Sequence, residues 1–143
     1  MASLQYHHGD FTFKMTRDEI VQKYLGVPYK HHGRDLNGLD CYGLIVCIYA
    51  DNGGTLSEPI SEYSTTWAKE NKNLFIENYH LEWVKVEKPD FLDVILIKNG
   101  DGLAFHAGVV LDGKTFIHTN RAGTSIAKLS DWKSRTEGFY RHR

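Results

Sequence analysis

The 143-residue chain has only two cysteines, three prolines and two methionines. So little cysteine excludes a disulfide scaffold. On one helix, Cys41 and Cys47 would lie about 9 Å apart between Cα atoms, beyond the span of a disulfide. An excess of one charge is also missing. Seventeen Lys and Arg stand against 18 Asp and Glu, for a formal net charge of −1, so there is no general electrostatic grip on nucleic acid or an anionic membrane. The basic residues that do cluster, Arg135, Arg141 and Arg143, are expected to solvate one end. No apolar run approaches the roughly 20 residues of a membrane span; the longest, Phe91–Ile97, is interrupted by Asp93. Nor does the N-terminus show the basic-then-apolar pattern of a secretory signal. The expectation is synthesis in the cytoplasm, followed by release on lysis or incorporation into a larger particle.

What remains is globular: 41% hydrophobic, 13% aromatic and 24% charged, which excludes disorder. The length fits one domain. Residues 16–143 are assigned to it, and residues 1–15 to a flexible N-terminal extension or an artificial leader.

Thr16 or Asp18 can cap a first helix running to about Leu25, with Ile20, Val21, Tyr24 and Leu25 as its buried stripe and Gly26 as its stop. A polar loop, 30–39, follows. A second helix starts near Asp40 or Cys41 and ends around Asn52-Gly53-Gly54; Cys41, Leu44, Ile45, Ile48 and Tyr49 recur on one face. Residues 55–80 are polar and irregular, with short helices expected around Thr65–Lys69 and Leu74–Tyr79. The period then changes to strands: Trp83–Val86, Val94–Ile97, Phe105–Leu111, Thr115–Thr119, Ser125–Lys128 and Gly138–Arg141, with a turn or short helix at Ser130–Ser134. Helices first and antiparallel strands second predict an α+β domain with helices packed on a five- to six-stranded sheet.

Three residues could carry chemistry. Cys41 opens the second helix, where the positive end of the macrodipole favours thiolate. Cys47, mid-helix and off the stripe, reads as structural. His106 and His118 depend on the hairpin between them. A two-residue turn at Asp112-Gly113 would put them on opposite faces. A three-residue loop, Leu111–Gly113, pairs Val110 with Lys114 and sets His106 directly opposite His118, Cβ atoms about 5 Å apart. The second register is expected, because it supplies a thiol, a base and a hydrogen-bond partner for that base. One Cys and two His could instead hold zinc, but no ligands pair at short spacing and no carboxylate completes the set. No metal and no cofactor are expected. His31 and His32 can line a cleft; His7, His8, His80 and His142 read as solvated.

The segment Val27-Pro28-Tyr29 … Gly33 … Gly38-Leu39-Asp40-Cys41-Tyr42-Gly43-Leu44 resembles the signature of the NlpC/p-60 cysteine peptidases. The block His106-Ala107-Gly108-Val109-Val110 … Phe116-Ile117-His118 looks like that family's His-Val-Gly-Ile-Tyr hairpin. The likeness runs from about residue 18 to 140. It implies a papain-like fold and hydrolysis of peptidoglycan stem peptides, at the bond from D-γ-glutamate to diaminopimelate or lysine. By the same resemblance Cys41 is the nucleophile, His106 the general base and His118 its orienting partner. Tyr29 would assist the oxyanion beside the Cys41 N–H, and Asp40 would lie on the substrate side, where it could receive a free amino terminus. The implied mechanism starts from a thiolate–imidazolium pair near neutral pH. Two departures stand out: Tyr42 replaces the family's usual Ser, and Leu92-Asp93 replaces Gly-Asp. The Asp-Cys-Tyr-Gly-Leu form looks like phage tail-associated members, so tail proteins join the peptidoglycan peptide as expected partners, with no nucleic acid and no membrane. Two rivals stand beside this reading. One is a silent binding module of the same fold; the other is amidase or transpeptidase chemistry on cell-wall peptides.

Overall fold

A computed structural model describes residues 7–8, 11–12, 14–56, 83–98 and 104–142. The short helices expected at Thr65–Lys69 and Leu74–Tyr79 lie outside the described residues. Two two-residue strands, β1 (His7–His8) and β2 (Phe11–Thr12), pair with each other. Helix α1 spans Arg17–Tyr24. Thr16 caps it with a full capping box: the Thr16 hydroxyl accepts the Glu19 N–H, and the Glu19 carboxylate accepts the Thr16 N–H. That arrangement satisfies two N–H groups the helix cannot pair internally. Ile20 and Tyr24 are buried as expected, but Leu25 is exposed. Leu25 is the C-cap and has left the helical path, with Gly26 following at φ +86°, so its side chain no longer follows the stripe.

The polar loop holds a small ladder that periodicity did not reveal, β3 (Arg34–Asp35) with β4 (Gly38–Leu39). Helix α2, Cys41–Asp51, starts directly after it. Gly43, in its first turn, packs so tightly on this ladder that a Cβ there would meet the Gly33 carbonyl oxygen at 2.0 Å. At the other end Asn52 accepts the N–H groups of Lys14 and Met15, both at 2.8 Å. Met15 also packs on the core.

Six strands form the main sheet: β5 (Trp83–Val86), β6 (Val94–Lys98), β7 (Ala104–Val110), β8 (Thr115–Asn120), β9 (Gly123–Lys128) and β10 (Thr136–His142). Their order is β5-β10-β6-β7-β8-β9, and every adjacent pair is antiparallel. The expected α+β architecture of N-terminal helices on an antiparallel sheet is therefore observed. It departs from a simple meander because β10 inserts between β5 and β6. Val94–Ile97 are buried on both faces, as their continuous apolar run requires. On one face Val94, Leu96, Val109 and Ile117 pack with Ile20, Leu44, Ile45 and Ile48 of the helices. On the other, Ile95, Ile97, Val110 and Phe116 pack with Leu129 and Trp132 of a 3-10 helix, η1 (Leu129–Arg135), and with Phe139.

Of the three C-terminal arginines, Arg143 lies outside the described residues, Arg135 is exposed as expected, and Arg141 is drawn into the fold. Arg141 forms a bidentate pair with Asp93, at 2.9 and 2.8 Å, and the Asp93 side chain is completely buried. Arg135 stacks on Trp132, 4.9 Å from the ring centroid. His142 is half-buried, edge-on to Trp83 at 5.1 Å.

Leu92 sits at φ +69° with a fully buried side chain. A left-handed backbone of this kind is one that Gly adopts without steric cost. Here Leu accepts a strain of about 1–2 kcal/mol in return for filling the core beneath Tyr49, whose hydroxyl donates to the Leu92 carbonyl. Leu92→Gly would relieve that strain but remove a buried side chain worth about 2–5 kcal/mol. We expect a net destabilisation of about 2 kcal/mol in urea titration; a gain in stability would mean that the strain outweighs the packing.

Candidate active site

The site forms where the N-terminus of α2 meets β7 and β8. Asp40 is the N-cap of α2 and its carboxylate is fully engaged. Oδ1 accepts the Gly43 N–H at 2.7 Å and the Arg34 guanidinium at 3.0 Å, while Oδ2 accepts the His32 N–H at 3.0 Å. Arg34 also donates to the Gly33 carbonyl and lies 5.8 Å from the Tyr42 ring centroid. The residue before Cys41 thus ties the β3–β4 ladder to the helix start. Cys41 is partly buried, and its thiol lies against the N–H groups of Ala107, Tyr42 and Cys41 itself. Ala107 adjoins His106 in sequence, so the thiol rests against β7 next to the residue that carries that imidazole.

His106 and His118 come together, but not in the expected register. Val110 pairs with Phe116, not with Lys114. Five residues rather than three separate Val110 from its partner, and within them Asp112 Oδ1 accepts the N–H groups of Lys114 and Thr115, both at 2.8 Å. The shift is by two residues, which preserves the facing of every side chain. His106 and His118 therefore meet on the diagonal, with Nε2 of His106 and Nδ1 of His118 2.8 Å apart. The residue register-opposite to His118 is Gly108, where a Cβ would meet the Ile117 carbonyl oxygen at 2.8 Å and the His118 Cβ at 3.1 Å. Glycine at 108 is what lets the two rings approach. Among the described residues the β7–β8 ladder is confined to two pairs, Val109 with Ile117 and Val110 with Phe116, and the histidines lie beyond it. Sequence reasoning missed the backing of His118: Phe116 at 5.0 Å and the edge-on ring of Trp132 at 5.4 Å. The i, i+2 spacing of Phe116 and His118 was the available signal.

With Nε2 of His106 bonded to His118, a proton taken up by the His106 ring would go to Nδ1. That requires Nε2–H to donate to His118 Nδ1, which puts the proton of His118 on its own Nε2. The surroundings do not favour a resting ion pair, contrary to the expectation from the macrodipole. Burial, and then Asp40, push the Cys41 thiol up to about 12, although the three backbone N–H groups pull the other way. Burial, His118 and Arg135 push His106 down to about 3, and burial lowers His118 too. A helix end contributes only about 0.3–1 kcal/mol at an ordinary site, too little to offset desolvation of this depth.

The same burial sets an acid limit. The fold holds His106 neutral, while the unfolded chain takes up a proton near the ordinary value of about 6.5. Stability from this residue is complete above that pH and is lost as pH falls from 6.5 toward 3. We expect a loss of about 2 kcal/mol at pH 5 relative to pH 7.5, read from urea midpoints. A His106→Gln variant should show a flatter profile; an unchanged profile would sink the idea.

Tyr29 is half-buried and joined to Leu39 by an isolated parallel bridge. Its hydroxyl is raised chiefly by burial, and the bridge to Leu39 holds Tyr29 near the segment that leads into Cys41. Tyr42 follows Cys41 and is partly exposed. Cys47 is remote from this chemistry and donates to the Arg34 carbonyl at 3.1 Å. Both cysteines are free. Among the described residues, no cluster of His, Cys, Asp and Glu has the arrangement of a metal site.

The NlpC/P60 family model matches residues 26–141. Among solved structures, the chain is similar to the NlpC/p60 domain of the peptidoglycan hydrolase SagA, with a TM-score of 0.57, 19% identity, and coverage of 88% of this chain and 96% of that one. An NlpC/P60 family protein from Bacillus cereus gives a TM-score of 0.63 and 22% identity over 90% of this chain. A protein from Staphylococcus aureus described as similar to lipoprotein, of the NLP/P60 family, gives 0.61 and 21% over 87%. The chain spans only 40% and 39% of the lengths of the latter two. At these identities the likeness establishes the fold. No curated protein sequence matches the chain.

Proposed function

The chain belongs to the NlpC/P60 family, and from that premise we propose that it is a cysteine endopeptidase that cleaves peptidoglycan stem peptides between D-γ-glutamate and diaminopimelate or lysine. The observation that carries this reading is the 2.8 Å bond from His106 to His118, next to the strand on which the Cys41 thiol rests.

In this reading the proton moves during attack, because thiol and imidazole both start neutral. His106 Nδ1 takes the Cys41 proton as sulfur bonds to the amide carbon. The charge developing on the carbonyl oxygen is met by the helix-start N–H groups and by the Tyr29 hydroxyl. His118 accepts from His106 Nε2–H and stabilises the imidazolium. His106 then returns its proton to the leaving amine as the C–N bond breaks. A water molecule, deprotonated by the same nitrogen, releases the acyl group and restores the thiol. Asp40 serves here as the cap that aims the helix start, since its oxygens are already engaged. The tail-associated reading, with tail proteins as partners and the virion as destination, rests on Tyr42 and on the Asp-Cys-Tyr-Gly-Leu form of the motif.

The test is digestion of purified muropeptides with product analysis by mass spectrometry, for the wild type and Cys41→Ala. A newly freed amine on diaminopimelate or lysine, absent with Cys41→Ala, supports the proposal. Release of the lactyl-muramic acid carboxyl would indicate an amidase instead. No turnover with a folded wild type would favour a silent module.

A further inference from the structure

Strands β8 and β9 are joined by a two-residue turn, Arg121-Ala122, closed by the pairing of Asn120 with Gly123. The tip is held from within and from outside. Asn120 Oδ1 accepts the Ala122 N–H at 2.9 Å, and the Thr119 and Thr124 hydroxyls are bonded at 2.6 Å. From outside, Gly26 N–H donates to the Thr124 carbonyl and Thr124 N–H to the Val27 carbonyl, each at 2.9 Å. The hairpin is thereby fastened to the segment that leads into Tyr29. The Arg121 guanidinium lies over the Tyr29 ring, 5.5 Å from its centroid, with the backbone pinned on both sides.

Arg121 is exposed, and among the described residues no carboxylate forms an ion pair with it. The acid nearest the nucleophile, Asp40, is already neutralised by Arg34. The open charge at the Tyr29 end of the site is therefore a cation with a flat, donor-only fork, stacked on an aromatic ring. That geometry suits a carboxylate.

We propose that Arg121 selects the substrate by pairing with a free carboxylate beside the scissile amide. The inference rests on the endopeptidase reading, and it names which form of the peptide is taken. A γ-glutamyl amide leaves the α-carboxylate of that glutamate free, a few carbons from the carbonyl under attack. Amidating this group removes its charge and presents N–H to a side chain that can only donate. Arg121 thus makes the enzyme sensitive to whether the glutamate is free or amidated.

The experiment uses the full chain and two matched peptides, L-alanyl-γ-D-glutamyl-L-lysine with the glutamate α-carboxyl either free or as the carboxamide. Wild type is expected to favour the acid by about 10- to 100-fold in kcat/KM, the range of a charge-assisted bond. Arg121→Gln should lose that factor on the acid peptide alone, and Arg121→Lys should recover part of it. No preference in wild type, or an equal loss on both peptides, overturns the inference. If neither peptide is cleaved, the endopeptidase reading fails and the comparison passes to calorimetric binding with Cys41→Ala. A preference for the acid that disappears in the Cys41→Ala/Arg121→Gln chain upholds the role of Arg121. Equal affinity, or no binding, overturns it.

Discussion

Replacing His106 with alanine is expected to lower cleavage of the γ-glutamyl peptide by about 10⁴-fold at pH 7, the upper range for loss of a positioned base. The size follows from the resting state of the thiol. With Cys41 pushed up to about 12, only about one molecule in 10⁵ carries a spontaneous thiolate at neutral pH. Attack therefore depends on a base that removes the proton as the bond forms. Two readouts separate this from mere damage to the site. The residual rate of His106→Ala should climb about tenfold per pH unit through pH 9, as hydroxide takes over the deprotonation. The double variant Cys41→Ala/His106→Ala should be no slower than Cys41→Ala alone, because the two residues act as a unit. A loss below tenfold, or a flat pH profile in the variant, would remove His106 from the proposed role.

Asp93→Ala is expected to cost about 3–5 kcal/mol, the loss typical of breaking one side of a buried ion pair. Its carboxylate accepts two bonds from Arg141 and the N–H of Asp90 at 2.7 Å. Truncation leaves all three donors without their acceptor. For a chain of this size the melting temperature should fall by about 10–20 °C, a large part of a typical stability. Removing both charges together, as Asp93→Leu/Arg141→Met, should recover much of the loss, since the pair is costly to bury in the first place. Differential scanning calorimetry of the three proteins checks this. A drop of less than about 1 kcal/mol for Asp93→Ala would mean that the pair carries no structural weight.

Both sites show where sequence reading succeeds and where it stops. Helix caps, the apolar stripe of α2 and the buried run Val94–Ile97 follow from local patterns, and the structure places them as expected. The facing of His106 and His118 was also legible, because side-chain alternation survives an even shift of register. The register itself was not. It turned on Asp112 folding its carboxylate back onto two N–H groups, a choice among loops of nearly equal propensity. Arg141 looked like part of a terminal basic patch because its partner is 48 residues away in sequence. Thiol ionisation failed for a related reason. The helix-end effect can be read locally, whereas the burial that overrides it comes from strands that only the tertiary fold brings near.

The insertion of β10 between β5 and β6 has a consequence for how the molecule comes into being. Until Thr136–His142 are in place, β6 presents a long, apolar, unpaired edge, Asp93 has no Arg141, and the β5 ribbon has nothing to join. Before that segment docks, Cys41, His106 and His118 are all present but lack the strand that closes the sheet around them. Pairing so distant in sequence is slow to form. The surroundings of Cys41, His106 and His118 are thus complete only once β10 has docked.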